Sequence, residues 1–277
     1  MFQLIVALLL LSSFVLCQSL NFANYDWYIL DSPDNRMYPG SNFFDASMPY
    51  VDENGHLHLS IVNNGTKWYC SEIFSKLHFG YGTYTFEVDD VFAQHDRNVM
   101  LSFYIHQGPV EEFAVEFGLW GRNDFDNSCY TVQPNHLRSN YHEFDTTHHN
   151  KPTIHSLTWS RDKIEFSSSR GSIKNAEEYQ SWEYDGEYRF PPSEERMRIA
   201  LWLYKGNAPT DDKDYEVIIR NFVFTPLEEP NTTVYVIIFG ALTIFALGLI
   251  AYDIRKRSLA REKLRRDLTR EMHFVRL

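Results

Sequence analysis

The sequence predicts an all-β sandwich of the jelly-roll type for most of the chain. Strand-like segments bounded by turn residues recur roughly every 8–12 residues, as in sandwich folds. Aromatic residues make up 16% of the 277 residues, a composition that favours β-sheets. We find no strong helical period before the C-terminal part of the chain, where one transmembrane helix and a short basic helical tail are expected. Residues 20–40 are expected to form an irregular arm, and residues 171–192 a long surface loop.

The two ends of the chain predict targeting and membrane segments. Residues 4–16 form a short apolar run, so residues 1–17 are interpreted as a signal peptide. Residues 234–252 form a longer apolar run without charge, and Arg255-Lys256-Arg257 follows it. Under the positive-inside rule this arrangement predicts a single-pass type I membrane protein whose C-terminus is cytoplasmic.

These segments divide the chain into an ectodomain and a tail. The ectodomain would span residues 18–226 and lie outside the cell or in a lumen. A stalk at 227–233 would connect it to the transmembrane helix, and residues 253–277 would form the cytoplasmic basic tail.

Charge is distributed unevenly along the chain. The net charge is −11, although residues 255–277 contain nine basic and three acidic residues. The remaining chain is therefore strongly acidic, which argues against nucleic acid and acidic polysaccharides as partners. A neutral polysaccharide fits this charge better, and the basic tail is interpreted as an element that contacts the membrane surface.

The segment from Glu112 to Gly121 alternates between two kinds of side chain. Apolar residues occupy every second position, whereas Glu112, Ala114, Glu116 and Trp120 share the other face of the predicted strand. Two carboxyl groups beside an indole platform are suited to cleavage of a glycosidic bond. An ordinary edge strand with solvated glutamates is the alternative. Residues four apart lie about 13 Å apart on a flat strand, so catalysis would require a curved strand.

This segment resembles the active-site strand of glycoside hydrolase family 16, the laminarinase- and lichenase-like β-glucanases. The family pattern is Glu-aliphatic-Asp-aliphatic-Glu, and this chain has Glu112-Phe113-Ala114-Val115-Glu116. Other segments are similar in the same order between residues 21 and 226: Gly55–Leu59, Ser71–Tyr84, His155–Trp159, Lys163–Phe166, Arg198–Leu203 and Val217–Phe224.

The resemblance implies a concanavalin A-like jelly roll and a retaining hydrolase of β-glucan-type chains. Glu112 would be the nucleophile and Glu116 the acid/base. Ala114 stands where the family has Asp, and this loss should perturb the pKa separation between the two glutamates. A non-catalytic, lectin-like carbohydrate-binding ectodomain on the same fold is therefore the alternative. Trp120, Trp68 and Trp202 are the expected sugar-binding residues.

The remaining expectations concern modifications and metals. In an oxidising compartment Cys70 and Cys129 are expected to form a disulfide, and Asn64 and Asn231 lie in N-glycosylation sequons. We expect no metal at the histidine-rich segment that contains His148, because its spacing fits no zinc pattern well. No cofactor is expected, and a structural calcium ion is left open.

Overall fold

The fold was analysed in a computed structural model of the chain. It describes residues 18–90, 94–123, 126–146, 152–227 and 232–274, and in the C-terminal helix the side chains of residues 239–266. Contacts divide the chain after Leu227 into two compact units, each of which is described by itself.

The first unit is built from β-strands, which confirms the predicted all-β class. The strands are β1 Ser19–Phe22, β2 Tyr25–Ile29, β3 Ser32–Met37, β4 Asn42–Phe44, β5 Tyr50–Val51, β6 Leu57–Asn63, β7 Trp68–Ser75, β8 Gly82–Asp89, β9 Val99–Gly108, β10 Glu111–Phe117, β11 Ser128–Val132, β12 Tyr141–Phe144, β13 Thr153–Trp159, β14 Ile164–Arg170, β15 Glu177–Tyr184, β16 Arg196–Leu203 and β17 Tyr215–Pro226. Short 3-10 turns lie at Arg138–Asn140 and Tyr204–Gly206.

The strands form two antiparallel layers. The front sheet runs β1-β2-β7-β16-β9-β10-β11-β12, and the back sheet runs β5-β6-β17-β8-β13-β14-β15. Strand β6 also pairs with β7, and β4 joins β7 in parallel, so the layers are linked at one side. This is the sandwich arrangement expected from the sequence.

Aromatic side chains from both sheets fill the space between the layers. Phe103 of the front sheet stacks on Phe86 of the back sheet with ring centroids 4.3 Å apart. Phe113 of β10 packs edge-on against the fully buried Trp159 of β13 at 5.1 Å. Because every second residue of β10 faces this core, the intervening residues must face away from it.

Two segments predicted as irregular contain strands. Residues 20–40 were expected to form an irregular arm but include β1, β2 and β3, and the predicted surface loop at 171–192 includes β15. Strand β15 pairs with β14 and presents exposed Glu177, Glu178 and Glu183. A strand that lies at the sheet edge and exposes one face to water has few apolar residues, so its pattern resembled that of a loop.

The second unit is a helix, α1, at Thr232–Phe274. Among the residues described with side chains, no part of it is long and apolar enough to cross a membrane. From Phe239 the uncharged stretch ends at Tyr252, and Asp253, Arg255 and Lys256 follow. The predicted crossing at 234–252 is therefore not supported, and its first five residues lie outside the described side chains. The predicted signal peptide at 1–17 also lies outside the described residues.

The predicted disulfide is wrong, because Cys70 and Cys129 are both free, buried thiols. Cys129 lies on β11 and Cys70 on β7, with β10, β9 and β16 between them. Four strand spacings place the two cysteines roughly 19 Å apart. A disulfide requires Cα atoms within about 7 Å of each other, so the sheet keeps the thiols separate.

We therefore expect the folded protein to retain both thiols. Alkylation under denaturing, non-reducing conditions followed by mass spectrometry should label Cys70 and Cys129, and a reducing agent should leave the thermal unfolding midpoint unchanged. A peptide pair linked through these cysteines, or a midpoint that falls on reduction, would contradict the sheet order.

Candidate active site

Strand β10 carries the two predicted catalytic carboxyls on the face that points away from the core. Phe113, Val115 and Phe117 are fully buried between the sheets. Alternation therefore directs Glu112 and Glu116 to the outer side of the front sheet, which we call the working face. The structure thus places both predicted residues on one face of one strand.

The register of the front sheet aligns one residue from each of four other strands with Glu116. Cys129 on β11, Ser102 on β9, Ala200 on β16 and Glu72 on β7 form one transverse row with it. Paired residues in an antiparallel sheet point to the same side, so this row belongs to the working face. The row extends the candidate site across the sheet.

Glu112 is 6% exposed and is hydrogen-bonded through both carboxylate oxygens. The Tyr38 hydroxyl donates to Oε1 at 2.8 Å, and the Gln133 amide also points to Oε1 at 3.5 Å. His106 Nδ1 lies 2.9 Å from Oε2. These contacts fix the orientation of the carboxylate.

Glu116 is partly exposed and contacts two hydroxyl groups. Ser102 Oγ lies 3.2 Å from Oε1, and Thr131 Oγ1 lies 3.1 Å from Oε2. Burial and, to a smaller extent, the negative charge of Glu112 raise the pKa of the Glu116 carboxyl, the two hydroxyls lower it, and the net result is a pKa of about 7. Near neutral pH Glu116 therefore holds its proton in a substantial fraction of molecules.

A buried ion pair lies on the same face, between β16 and β7, which are the second and third strands from β10. Glu72 is fully buried, and its Oε1 lies 2.9 Å from Arg198 Nε. The Tyr104 hydroxyl donates to the same oxygen at 3.0 Å. Burial raises the pKa of Glu72 to about 7, and the Arg198 cation opposes this rise. The charge of Arg198 thus offsets part of the negative charge on the working face.

A cavity of about 580 Å³ opens beside Glu116. Aromatic residues, a hydroxyl group and charged side chains of both signs line this cavity. They include Trp120, Thr131, Tyr141, Tyr204, Arg122, Glu143, His136 and Lys205. Arg122 Nη2 and Glu143 Oε1 form an ion pair at 3.3 Å. A volume of this size accommodates a small ligand such as one or two sugar rings.

The structure separates the three tryptophans predicted to bind sugar. Trp120 lines the cavity with Glu116, with a positive φ of 48° that is unusual for a bulky residue. Trp202 is 7% exposed and donates from Nε1 to Ser102 Oγ at 2.9 Å, so it supports a hydroxyl that contacts Glu116. Trp68 begins β7, roughly 20 Å from Glu116 by strand rise and spacing, and is not among the cavity residues.

Gly118 allows the chain to leave β10 toward Trp120. Its φ is +139°, and a Cβ atom at this position would lie 2.4 Å from Met100 Sδ and 2.6 Å from the Val99 carbonyl oxygen. Only glycine fits such an approach without rearrangement. The small residue at 118 therefore permits the turn that brings Trp120 to the cavity.

Ala114 lies between the two glutamates and is 2% exposed. It pairs with Tyr104 on β9 and Thr131 on β11. Thr131 turns its hydroxyl to Glu116 and Tyr104 turns its hydroxyl to Glu72. The methyl group of Ala114 offers no hydrogen bond to either catalytic candidate.

The other predicted sites are less fully described. Asn64 is exposed in the turn between β6 and β7, whereas Asn231 and the His148 segment lie outside the described residues. In the described part of the chain, no group of histidine, cysteine, aspartate or glutamate residues could hold a metal ion. Glycosylation at Asn64 therefore remains an expectation.

Sequence reasoning missed Tyr38, Ser102, His106, Glu72 and Arg198. Ser102 and His106 alternate with the core-facing residues of β9, so alternation predicts that they lie on the working face, whereas the bulge at Gln107 decides which glutamate each of them faces. The contact of Tyr38 with Glu112 spans 74 positions in sequence and follows from tertiary packing alone. Periodicity offers no signal for such contacts.

The raised pKa of Glu116 predicts a pH-dependent effect on stability. Between pH 4.5 and pH 7 the folded protein binds more protons at this site than the unfolded chain, so stability falls as pH rises. Glu116→Gln should remove this loss and stabilise the protein above pH 7, by up to about 3 kcal/mol at about 1.4 kcal/mol per pKa unit. Below pH 4.5 it should have little effect.

Urea unfolding at several pH values between 4 and 8 measures this difference. The exposed turn residue Glu53 provides a control, and Glu53→Gln should follow the wild type at every pH. A Glu116→Gln variant that gains no stability as pH rises would show that the carboxyl ionises without cost.

Comparison with known proteins identifies the family. The model of the glycosyl hydrolases family 16 matches residues 42–219. Among solved structures, a prokaryotic β-1,3-1,4-glucanase (lichenase) derived from a mouse hindgut metagenome superposes with a TM-score of 0.54 at 18% identity, covering 76% of this chain and 99% of that one. A comparison with curated protein sequences found no significant match.

Two other glucanase structures give the same result. The Bacillus licheniformis β-glucanase superposes with a TM-score of 0.52 at 15% identity, and the match covers 73% of this chain and 92% of the glucanase chain. A family 16 endo-glucanase from Bacteroides ovatus, in complex with G4G3G-2F-DNP, has a TM-score of 0.53 at 14% identity and covers 72% and 94%. At these identities the structures establish the fold, and the match of the family model over most of the β domain shows that this chain belongs to glycosyl hydrolases family 16.

Proposed function

We propose that the protein is a glycoside hydrolase that cleaves a neutral β-glucan-type polysaccharide with retention of configuration. The observation that carries this proposal is the different surroundings of two carboxyls on one strand face. Glu112 accepts hydrogen bonds at both oxygens, whereas Glu116 has a pKa raised to about 7. A nucleophile and a general acid need such different surroundings.

In the proposed reaction the Glu116 carboxylic acid protonates the glycosidic oxygen as the bond to the anomeric carbon breaks. The Glu112 carboxylate attacks that carbon and forms a glycosyl-enzyme ester. Glu116, now a carboxylate, takes a proton from water, whose oxygen attacks the anomeric carbon and releases Glu112. The cavity beside Glu116 would hold the sugar on the leaving-group side, with Trp120 as a platform.

A neutral glucan is proposed because of the charges around the site. Glu72, Glu112 and Glu116 place three carboxyls on the working face, and Arg198 is ion-paired with Glu72. Such a face repels polyanionic chains. The solved relatives named above are glucanases, which supports the same substrate class.

A carbohydrate-binding protein without hydrolase activity is the second candidate, and Ala114 is the observation that favours it. Its side chain cannot share a proton with Glu112 or Glu116. Under this alternative the working face and the cavity would bind a glycan, and the two glutamates would contact sugar hydroxyls without reacting.

Activity measurements on the purified protein separate these candidates. Glu112→Gln and Glu116→Gln should each lower kcat on a β-glucan by about 10²–10⁴-fold. The wild-type kcat/KM should fall as pH rises through about 7, because Glu116 must be protonated to act as an acid. Calorimetry should show that both variants still bind glucan. A wild-type protein that binds glucan but produces no reducing ends would support the alternative.

We also propose that the β domain lies outside the cytoplasm. The apolar N-terminal run at residues 4–16 supports this location, because such a run is typical of a secretory signal peptide. Asn64 supports it as well, because this sequon asparagine is exposed in the turn between β6 and β7. In the secretory pathway such an asparagine is accessible for glycosylation.

Expression in eukaryotic cells tests the location. An enzyme that removes N-linked glycans should increase the gel mobility of the wild-type protein, and Asn64→Gln should reduce this shift. Asn54→Gln, in a different exposed turn without a sequon, is the matched control. A wild-type protein without glycan at Asn64 would argue against an extracytoplasmic domain.

A further inference from the structure

A bulge in the β9–β10 hairpin determines which side chain faces Glu112. Glu111 pairs with Gly108, whereas Glu112 pairs with His106, so Gln107 is an extra residue in β9. A one-residue change of register would move His106 to the opposite face of the sheet. The bulge therefore places the imidazole directly opposite the proposed nucleophile.

The imidazole contacts the carboxylate oxygen that the other groups leave open. Tyr38 and Gln133 both point to Glu112 Oε1, and His106 Nδ1 lies 2.9 Å from Oε2. An ionised carboxylate has no hydrogen to donate, so Nδ1 must carry the hydrogen of this bond. The contact thus defines which ring nitrogen is protonated.

The ring itself is held between two aromatic side chains. Tyr38 stacks on His106 with centroids 6.0 Å apart and an interplanar angle of 28°, and Tyr104 meets it edge-on at 6.3 Å. Arg196, which pairs with His106 from β16, directs its guanidinium to the backbone carbonyls of Ser75 and Lys76. The ring is therefore confined where it can orient Glu112.

The central position of the strand gives Glu112 no comparable support. Ala114 has no polar side-chain atom, and the hydroxyl of Tyr104 opposite it is directed to Glu72. The group that stabilises the geometry of Glu112 has to come from another position on the working face. Tyr38 and Gln133 contact Oε1 of Glu112, and His106 is placed by its distance and register to support Oε2.

We infer that His106 is a positioning residue for the nucleophile and takes the place of the carboxyl absent at Ala114. The inference rests on the proposed hydrolase function. In this role the Nδ1–H group holds Glu112 Oε2 in the orientation for attack on the anomeric carbon. The imidazole neither touches the substrate nor exchanges a proton with it.

Three substitutions separate hydrogen bonding from packing. His106→Asn keeps an N–H donor near the position of Nδ1, whereas His106→Gln places the same amide one bond further from the backbone. His106→Phe keeps an aromatic ring between Tyr38 and Tyr104 but has no donor. His106 is about 28% exposed at its side chain, so each variant is expected to fold.

We expect kcat of His106→Phe and His106→Gln to fall by about 10²-fold, the effect of a misplaced reacting group, while KM stays close to wild type. His106→Asn should retain most of the wild-type kcat. A purely packing role predicts the reverse order, with Phe active and Asn impaired. Either that order or an equal loss in all three variants would overturn the inference.

A second measurement does not depend on turnover. In ¹⁵N-histidine-labelled protein, the His106 signals can be assigned by their loss in His106→Asn, and Nδ1 should be the protonated nitrogen. Glu112→Ala should abolish this preference. An unprotonated Nδ1 in the wild type overturns the inference at any level of activity. If Nδ1 is protonated and no glucan is cleaved, the proposed hydrolase function fails while the contact itself is supported.

Discussion

The working face depends on holding three carboxyl groups on one side of one sheet, two of which have little access to water. Glu72 is fully buried and Glu112 nearly so, and Glu116 shares their face of the front sheet. An isolated buried carboxylate is strongly unfavourable, so each group must be paired, hydrogen-bonded or protonated. Arg198 pairs with Glu72, donors contact both oxygens of Glu112, and the pKa values of Glu72 and Glu116 are both raised to about 7.

This division among the three groups separates the roles of the proposed catalytic pair. Donors converge on Glu112, whereas two hydroxyls contact Glu116. Of the two proposed catalytic residues, Glu116 is therefore the one that holds a proton near neutral pH. Trp202 adds to this arrangement by donating to Ser102, which orients the Ser102 hydroxyl toward Glu116. Trp202, which was expected to stack on sugar, thus supports Glu116 indirectly through the Ser102 hydroxyl.

Alternation along one strand was sufficient to predict that Glu112, Ala114 and Glu116 share a face and that β10 borders a core. It could not predict which residues of other strands meet them, because a single bulge at Gln107 sets that register. The Cys70–Cys129 prediction failed for a related reason. Two cysteines in one chain reveal nothing about the strands that separate them, and here three strands lie between the thiols. Strand β15 was missed because its three aromatic residues stand among polar and acidic ones without regular alternation.

The alanine at position 114, where the family has Asp, goes with a different arrangement of polar groups on the working face and not simply with the loss of one carboxyl. A carboxyl at 114 would add a fourth negative group to a face where Arg198 is already paired with Glu72. It would also lie opposite Tyr104 and Thr131, whose hydroxyls serve Glu72 and Glu116. With a methyl group at 114 these hydroxyls stay on their partners, and a neutral or cationic imidazole at 106 supports Glu112 without adding negative charge. The electrostatics of the face therefore favour a small residue at 114 once His106 faces the nucleophile.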